Sequence, residues 1–427
     1  MLASGLAAQQ TQLSSISSTD VLPIVHVQNG KNSTTAQRAH FVVLVSLDGF
    51  RWDYAERFGA KNLLALGASG VSAPQGMLPS YPSLTFPNHY TIVTGLYPEH
   101  HGIVANNFID QTTHARFAMT DENATADGAW YGGTPLWSLA ESQGMRTASL
   151  MWPGSQAKIA GFRPSYYLPY NHSTSETARI DQIRQWLRLP DAERPHLILV
   201  YYSHPDHEGH EFGPDARETR TAALRMDALI GKLRAVLDAS ALPVDLVVLS
   251  DHGMVKLAPD TVLLDQFADF SGFKTAAAQI YGNSEADRNR VYQQLKHASD
   301  RFSVYRRKDV PAYLHNNENA RAGDPIVVAT GAYAIHIHRT PARAADHAPT
   351  VGAHGFDPRI VPEMKASFFA AGPDIVVGKT LAPFENVNVY AWIAHLLGLK
   401  PAENDGSLSV LSKTLRDAQT VQKGKQR

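Results

Sequence analysis

Acidic and imidazole side chains follow three apolar stretches of this chain, at the point where each stretch stops. Asp48 follows Phe41 to Leu47, Asp206 and His210 follow Leu197 to Tyr202, and Asp251 with His252 follows Val244 to Ser250. Each stretch has the length and the Val, Leu, Ile or Tyr content of a strand buried on both faces of a parallel sheet. Ligands of open α/β sheets bind outside the carboxyl ends of the strands, so these groups predict a metal site at one sheet edge.

The spacing of these residues suits shared cations. Asp206 and His210 are four residues apart, so one helical turn or a compact loop would direct both at one point. His354 is flanked closely by glycines, which allow the backbone to approach a site. Three carboxylates and three imidazoles are too many for one tetrahedral ion and nearly fill two sites. The pattern therefore predicts two-metal hydrolysis of a phosphate ester.

A hydroxyl nucleophile would complete such a site, and the candidate is Thr85. Pro87 followed by Asn88 indicates a helix start, so Thr85 would lie at a helix N-terminus, where free amides and the helix dipole favour an anion. A bound metal would lower the pKa of its hydroxyl. Asn106 and the backbone amide of Phe86 could each donate a hydrogen bond to a phosphoryl oxygen.

Composition limits the classes of partner. The 427 residues carry a formal net charge of -1, so no overall field favours stable nucleic-acid binding or an anionic membrane. The chain has no cysteine, which excludes disulfides, thiolate ligands and a cysteine nucleophile. No apolar run reaches the roughly 18 to 20 residues that span a bilayer, which predicts no transmembrane anchor. We expect a monomer that acts on a small phosphodiester.

The first 37 residues are expected to be a leader or a disordered segment. Leu2 to Ala8 are small and apolar and could be the end of a signal peptide whose basic start is missing, or a disordered chain end. A polar stretch without helical or strand periodicity follows. With the absence of cysteine, this predicts a periplasmic or secreted protein.

Alternating strand-like and helix-like segments from Phe41 onward predict a doubly wound, mostly parallel α/β sheet. Residues 258–345 break this alternation and are expected to form an inserted peripheral subdomain. The predicted catalytic core comprises residues 38–257 and 346–412, and a polar tail is expected at 413–427.

Several short motifs of this chain resemble motifs of the nucleotide pyrophosphatase/phosphodiesterase family, which is part of the alkaline phosphatase superfamily. Val45 to Arg51 is similar to the family's first metal-ligand motif, and Thr85 to Tyr90 with Thr94 to Pro98 is similar to its nucleophile motif. The resemblance continues through Trp152 to Ser155, Pro205 to His210, Ser250 to Met254, Gly352 to Gly355 and Leu396 to Leu399, and covers roughly residues 38 to 412.

The resemblance implies the superfamily's α/β core and two Zn²⁺ ions. One zinc would be held by Asp206, His210 and His354, and the other by Asp48, Thr85, Asp251 and His252. It further implies double displacement: Thr85 attacks the phosphodiester, an alcohol or nucleotide leaves, and metal-activated water hydrolyses the phospho-threonine. Asn106 matches the asparagine that stabilises the oxyanion.

The resemblance also implies nucleotide substrates, because Phe86, Tyr170 and Tyr201 fall where the family packs a nucleobase; ordinary core packing is the alternative for these aromatics. We expect cleavage of nucleotide diesters and nucleoside triphosphates to nucleoside 5′-monophosphates. Leu84 and Asn107 replace lysines that are frequent in vertebrate nucleotide-hydrolysing members.

The sequence leaves other functions to be weighed at this point. The same machinery could cleave choline phospholipids or a phosphomonoester, although no Arg lies between Pro79 and Glu99 to bind a monoester's extra oxygen. A sulfatase is disfavoured because no cysteine could become formylglycine. A non-catalytic zinc-dependent binding protein is the remote alternative, since binding alone would not require Thr85.

Overall fold

A mixed nine-stranded sheet forms the centre of the molecule in the computed structural model, which describes residues 22–338 and 350–416. In chain order its strands are β1 (Val25–His26), β2 (Phe41–Leu47), β3 (Val71–Ser72), β4 (Thr147–Leu150), β5 (Tyr166–Leu168), β6 (Leu197–Tyr202), β7 (Val244–Leu249), β8 (Phe368–Ala371) and β9 (Lys379–Thr380). Their spatial order is β1-β5-β4-β6-β2-β7-β8-β3-β9.

The middle of the sheet is parallel. Strands β5, β4, β6, β2 and β7 run in one direction, whereas β1 and β8 pair antiparallel with β5 and β7. Strand β2 lies between β6 and β7, with Ser46 opposite both Tyr201 and Leu249. The three strands that carry the predicted donors are therefore adjacent, and their carboxyl ends meet at one edge.

Helices cover both faces of the sheet, which explains why all residues of β2 except Ser46 are apolar. Val42 and Leu44 pack into one hydrophobic cluster, and Val43 and Val45 pack into a second cluster on the opposite face. The helices are α1 (Tyr54–Phe58), α2 (Lys61–Ala68), α3 (Thr85–Thr94), α4 (Pro98–His101), α5 (Glu122–Ala126), α6 (Leu136–Ser142), α7 (Glu176–Leu187), α8 (Asp206–Phe212), α9 (Arg217–Ala239), α10 (Glu285–Leu295), α11 (Asn388–Leu396) and α12 (Leu408–Leu411). Two-sided burial of this kind is typical of a doubly wound α/β fold, which confirms the predicted fold class.

Two predictions about the ends of the core need correction. The expected leader over residues 1–37 is wrong for residues 22–37, because Val25–His26 pairs with Tyr166 and Tyr167 at the sheet edge. The expected tail is likewise wrong for residues 413–416, where the buried Thr414 accepts a hydrogen bond from Trp392 at 3.0 Å. Residues 1–21 and 417–427 lie outside the described residues.

The segment predicted as a peripheral subdomain has small sheets and a hydrophobic cluster of its own. Its strand pairs are Val262–Leu263 with Ile335–His336, Lys274–Ala276 with Gln279–Tyr281, and Phe302–Tyr305 with Ile326–Ala329. Arg321 connects it to the core through Asp110 and the carbonyls of Gly102 and Trp130. The predicted boundary at residues 345 and 346 lies outside the described residues, and the domain division stays a prediction.

Candidate active site

The carboxyl ends of β2, β6 and β7 place Asp48, Asp206 and Asp251 together. The amide of Asp48 donates to the carbonyl of Tyr202 at 2.9 Å, and the amide of Asp206 donates to the carbonyl of Asp48 at 3.1 Å. Sheet pairing thus continues past the strand ends and fixes the separation of the first two carboxylates. The sequence prediction that these groups meet at one edge is confirmed.

Gly49 makes this close approach possible. Its φ is +66°, and a Cβ at this position would lie 2.9 Å from both the Cα and the Cβ of Asp206. A larger residue would push apart the segments that carry the first two carboxylates. The backbone amide of Gly49 also donates to Asp251 Oδ1 at 3.2 Å, which links it to the third carboxylate.

Thr85 is the first residue of α3, as the Pro87-Asn88 pair predicts. The loop before it is held by Asn88, whose side-chain amide donates to the carbonyls of Ser80, Pro82 and Leu84 and whose Oδ1 accepts from the Ser80 amide. The hydroxyl of Thr85 lies 3.4 Å from His252 Nε2. The loop fixed by Asn88 and the buried first turn of α3 thus hold the Thr85 hydroxyl beside the possible metal donors.

The three histidines turn the same ring nitrogen toward the site. The Nδ1 of His210 lies 2.8 Å from the carbonyl of Gly352, that of His354 lies 2.9 Å from the carbonyl of Ser83, and that of His252 lies 3.0 Å from the carbonyl of Gly253. A carbonyl only accepts, so each Nδ1 carries the proton and each Nε2 presents a lone pair. This is the tautomer that an imidazole needs to bind a metal through Nε2.

These lone pairs converge with the carboxylates. His210 Nε2 lies 3.1 Å from His354 Nε2 and 3.5 Å from Asp206 Oδ2. His252 Nε2 lies 3.0 Å from Asp251 Oδ2 and 3.5 Å from Asp48 Oδ1. Ligand atoms of Asp206, His252 and His354 lie within 4.8 Å of one another, as do those of Asp48, Asp251 and His252. The ligand atoms therefore form two adjacent groups, and His252 belongs to both of them.

The donor set fits bound cations. Asp48 Oδ1, Asp206 Oδ1 and Asp251 Oδ2 are buried without a hydrogen-bond partner among the described residues. Burial, and then the charge of Asp251, raises the pKa of Asp48 well above its ordinary value. Burial, and then His252 and His210, lowers the pKa of His354 well below its ordinary value, which keeps this imidazole neutral. Buried carboxylates and facing lone pairs repel unless cations lie between them.

Asn106 lies beside the nucleophile with a defined orientation. Its Oδ1 accepts a hydrogen bond from the backbone amide of Phe86 at 2.9 Å. The side-chain NH₂ of Asn106 is then the group that can donate to a phosphoryl oxygen. The Phe86 amide, which the sequence suggested as a second phosphoryl donor, binds Asn106 in this structure.

The three aromatic residues predicted to pack a base differ in exposure. Tyr170 is 51% exposed, whereas Phe86 is 9% and Tyr201 is 7% exposed. The ring of Phe86 packs against Phe117, and that of Tyr201 lies 6.2 Å from the ring of Tyr170. Tyr170 therefore offers the largest free ring surface of the three.

Two contacts with the donors were not expected from the sequence, which suggested Tyr201 only as a base-packing residue and gave His89 no role. The Tyr201 hydroxyl donates to Asp48 Oδ2 at 2.6 Å. Buried His89, one turn after Thr85, has its Nδ1 2.8 Å from the Thr85 carbonyl and 3.3 Å from Asp251 Oδ2, and its Nε2 lies 2.8 Å from Ser46 Oγ. The i to i+4 spacing on α3 indicates the contact of His89 with Thr85, but it gives no signal for the contact of His89 with Asp251.

Comparison with known proteins identifies the family. Residues 42–357 match the family model described as type I phosphodiesterase / nucleotide pyrophosphatase. An uncharacterized pyrophosphatase/phosphodiesterase of Schizosaccharomyces pombe is 36% identical over 86% of this chain and 78% of its own length. A venom phosphodiesterase of Macrovipera lebetinus is 34% identical over 88% of this chain, which spans 45% of that relative's length.

Solved structures agree with these matches. Human ectonucleotide pyrophosphatase/phosphodiesterase 5 superposes with a TM-score of 0.82 at 30% identity, covering 88% of this chain and 100% of that chain. The murine protein, described as inactive through a threonine-to-alanine change and in complex with AMP, gives 0.81 at 29% identity over the same shares. The relatives of this kind are metal-dependent phosphodiester hydrolases. The chain therefore belongs to the nucleotide pyrophosphatase/phosphodiesterase family, which is part of the alkaline phosphatase superfamily.

Proposed function

We propose that this enzyme hydrolyses nucleotide phosphodiesters and nucleoside triphosphates to nucleoside 5′-monophosphates with two Zn²⁺ ions and a phospho-threonine intermediate. The observation that carries the proposal is the position of Thr85. Its hydroxyl lies at the N-terminus of a buried helix and 3.4 Å from His252. The three nearby carboxylates each have a buried oxygen without a hydrogen-bond partner among the described residues.

Each side chain has a role in this proposal. Asp206, His210 and His354 would hold one zinc, and Asp48, Asp251 and His252 would hold the other together with Thr85. Donor groups of nitrogen and oxygen without sulfur suit zinc in hydrolytic sites. When bound, the ions would act as Lewis acids that polarise phosphoryl oxygens and lower the pKa of hydroxyl and water ligands.

The reaction would proceed in two displacements. Thr85 Oγ1 loses its proton and attacks phosphorus, and the bond from phosphorus to the departing alcohol or phosphate oxygen breaks. Helix α3 directs its N-terminus at the phosphoryl group, and the Asn106 NH₂ donates to one phosphoryl oxygen. Water then attacks phosphorus, the bond to Thr85 Oγ1 breaks, and the nucleoside monophosphate leaves.

Two features of the solved relative support this assignment. The murine protein is described as inactive when a threonine is replaced by alanine, and it is bound to AMP. AMP is the product class that we propose, and exposed Tyr170 provides a surface on which its base could stack.

The compartment and assembly also belong to the proposal. In the described residues no helix has the length and apolar character needed to cross a bilayer. Relatives include venom phosphodiesterases and an ectonucleotide enzyme. We infer a periplasmic or secreted enzyme that acts as a monomer on small phosphodiesters and makes no stable nucleic-acid complex.

The first test combines metal analysis with a substrate panel. Zinc content is measured, and hydrolysis of p-nitrophenyl thymidine 5′-monophosphate is compared with that of p-nitrophenyl phosphate and p-nitrophenyl phosphorylcholine, before and after chelation. We expect the nucleotide diester to be cleaved fastest and activity to be lost on chelation. A preference for phosphorylcholine or for the monoester would instead establish one of the other substrate classes.

Replacement of the nucleophile tests the mechanism. Thr85→Ala should abolish turnover while the zinc content stays at that of the unchanged enzyme, because six other side chains hold the ions. Thr85→Ser retains a hydroxyl and serves as the matched control, with measurable turnover expected. Substantial activity of Thr85→Ala would rule out the phospho-threonine route.

A further inference from the structure

A second group of possible metal donors lies at the end of the central strands opposite to the active site. His40 directly precedes β2, Asp245 is the second residue of β7, and Asp374 follows β8. One ligand atom from each of these three residues lies within 4.8 Å of the other two. Asp245 and Asp251 lie at the two ends of β7, and six residues of extended chain separate them by roughly 20 Å. This group is therefore separate from the active site.

The contacts inside the group resemble those of a ligand set. His40 Nδ1 lies 2.6 Å from Asp374 Oδ2, and the backbone amide of Asp374 donates to Asp245 Oδ1 at 3.1 Å. Asp245 is fully buried, and its Oδ2 has no hydrogen-bond partner among the described residues. A buried carboxylate oxygen without a donor is costly unless a cation or a proton compensates it.

Among residues 22–338 and 350–416, no Lys or Arg forms an ion pair with either carboxylate. In the described part of the chain, the only ion pair of Asp374 is with His40, and Asp245 has no ion pair with Lys or Arg. Burial, followed by the charge of Asp374, raises the pKa of Asp245 to about 7. Two adjacent carboxylates destabilise each other's ionised forms, and a divalent cation would remove this repulsion.

The backbone is shaped around the buried carboxylate. A Cβ on Gly372 would lie 2.1 Å from Asp245 Oδ1 and 2.5 Å from Asp245 Cα. Only glycine lets the chain after β8 pass this close, and the next residues carry Asp374 into contact with Asp245. The side chains of His40 and Asp374 are 28% and 25% exposed, so a cation and water can reach the group.

We propose that His40, Asp245 and Asp374 bind a third divalent transition-metal ion, of the zinc class. This site would lie at the end of the central strands opposite to the active site. One imidazole and two carboxylates supply three protein ligands, and water would complete a tetrahedral sphere. The ion would join the starts of β2 and β7 to the chain leaving β8, and its role would be structural.

Metal stoichiometry tests the proposal. Metal-stripped enzyme is reloaded with zinc alone, desalted and analysed for zinc per chain. Asp374→Asn should lower zinc by one equivalent relative to the unchanged enzyme. Turnover of the nucleotide diester should stay intact, since Asp374 contacts Asp245 at the end of β7 opposite to Asp251. Comparing the two proteins isolates the third ion whatever number the active site holds.

A second His–Asp pair provides the matched control. Asp405 Oδ2 lies 2.8 Å from His100 Nδ1, so Asp405→Asn alters a similar pair outside either donor group and should leave zinc content unchanged. Retained turnover shows that each variant is folded. Equal zinc in the unchanged enzyme and Asp374→Asn would overturn the proposal.

Anomalous diffraction gives an answer that needs no variant. Crystals of the zinc-loaded enzyme measured above the zinc edge should show a peak between His40, Asp245 and Asp374 in addition to any peak at the active site. The absence of that peak would overturn the proposal, and the two carboxylates would then share a proton.

Discussion

At the scale of single residues, Tyr201 combines two contacts that the sequence suggested only in part. Its ring lies near Tyr170, where a base is expected, but its hydroxyl donates to Asp48 at 2.6 Å. Tyr201, at the end of the neighbouring strand β6, would therefore position Asp48, one of the proposed metal ligands. Partners of this kind hold the carboxylate in one rotamer and commonly change metal affinity or activity 10- to 100-fold when removed.

Tyr201→Phe should consequently lower kcat about 10-fold or more and weaken retention of one zinc, because Asp48 loses its donor while the ring is retained. Titration with a chelator, followed by activity assays, measures both effects. Tyr202→Phe is the neighbouring control, since its hydroxyl makes a 3.4 Å contact with the carbonyl of Glu176 on α7. Identical chelator sensitivity of the two variants would contradict a positioning role.

Tyr170 allows a separate test of nucleotide recognition. Tyr170→Ala should raise KM for p-nitrophenyl thymidine 5′-monophosphate by roughly 5- to 150-fold, because a base stacked on an aromatic ring gains about 1–3 kcal/mol. Hydrolysis of methyl p-nitrophenyl phosphate, which has no base, should be unchanged. A parallel loss on both substrates would show that Tyr170 supports the site rather than the base.

The residues that sequence reasoning found are those whose type is itself reactive and whose place follows a strand end. Asp48, Asp206 and Asp251 could be found because an apolar strand comes before each one, and Thr85 could be found because Pro87 and Asn88 mark the start of its helix. The contacts of His89 and Tyr201 could not be found in the same way, since each depends on which side chain faces it across the sheet or helix. Such contacts follow from register, which a local pattern does not contain.

At the scale of elements, one carboxylate holds a helix start. Asp227 of α9 is buried and accepts from the amide of Leu63 at 2.8 Å and from the amide and side chain of Asn62. It thereby satisfies donors at the start of α2, whose own preceding residue is Ala60 and provides no side-chain cap. This contact ties two helices on the same face of the sheet.

Asp227→Asn should lower the free energy of unfolding by about 1–3 kcal/mol, because an amide NH₂ would face backbone donors in a buried place. Urea unfolding of the zinc-loaded enzyme measures the change, and activity per folded molecule should stay constant. Asp238→Asn, at the exposed end of the same helix, should change stability by less than about 0.5 kcal/mol. Equal midpoints for the two variants would argue against the capping role.

The order of strands was less predictable than their presence. The apolar runs at Phe41, Leu197 and Val244 gave β2, β6 and β7 to within one residue of their ends. The run at Ser367 to Ala371 has the same apolar character, yet β8 is antiparallel to β7. A strand buried on both faces looks alike in either direction, so orientation follows from the connection and not from composition.

At the scale of the whole molecule, buried His101 connects stability to pH. Its Nδ1 accepts from the amide of Ile103 at 3.2 Å, and its Nε2 lies 3.0 Å from Thr91 Oγ1. Protonation of Nδ1 would make its N–H face the amide N–H of Ile103, so that two hydrogen-bond donors would oppose each other in a buried place. Burial accordingly lowers the pKa of His101 to about 3.

A folded pKa below the unfolded value of about 6.5 means that only the unfolded chain binds this proton between these two pH values. The contribution of His101 is thus complete above pH 6.5 and decreases as the pH falls toward 3, by roughly 2 kcal/mol at pH 5. His101→Asn keeps an acceptor for Ile103 and does not titrate. Its unfolding free energy should fall less between pH 7 and 5 than that of the unchanged enzyme, and parallel curves would refute this assignment.

The pairing of β8 with β7 connects a late segment of the chain with the early segments that carry the site. The hydroxyl of Ser250 donates to the carbonyl of Phe50 and accepts from the amide of Ser367, so β8 seals the segments that carry Asp48 and Asp251. His354, which enters just before β8, is among the last of the proposed ligands to leave the ribosome. A nascent chain stalled before this residue would contain the nucleophile and most donors but an incomplete site. Hydrolysis should therefore begin only after synthesis has passed β8, and turnover would serve as a reporter of completed folding.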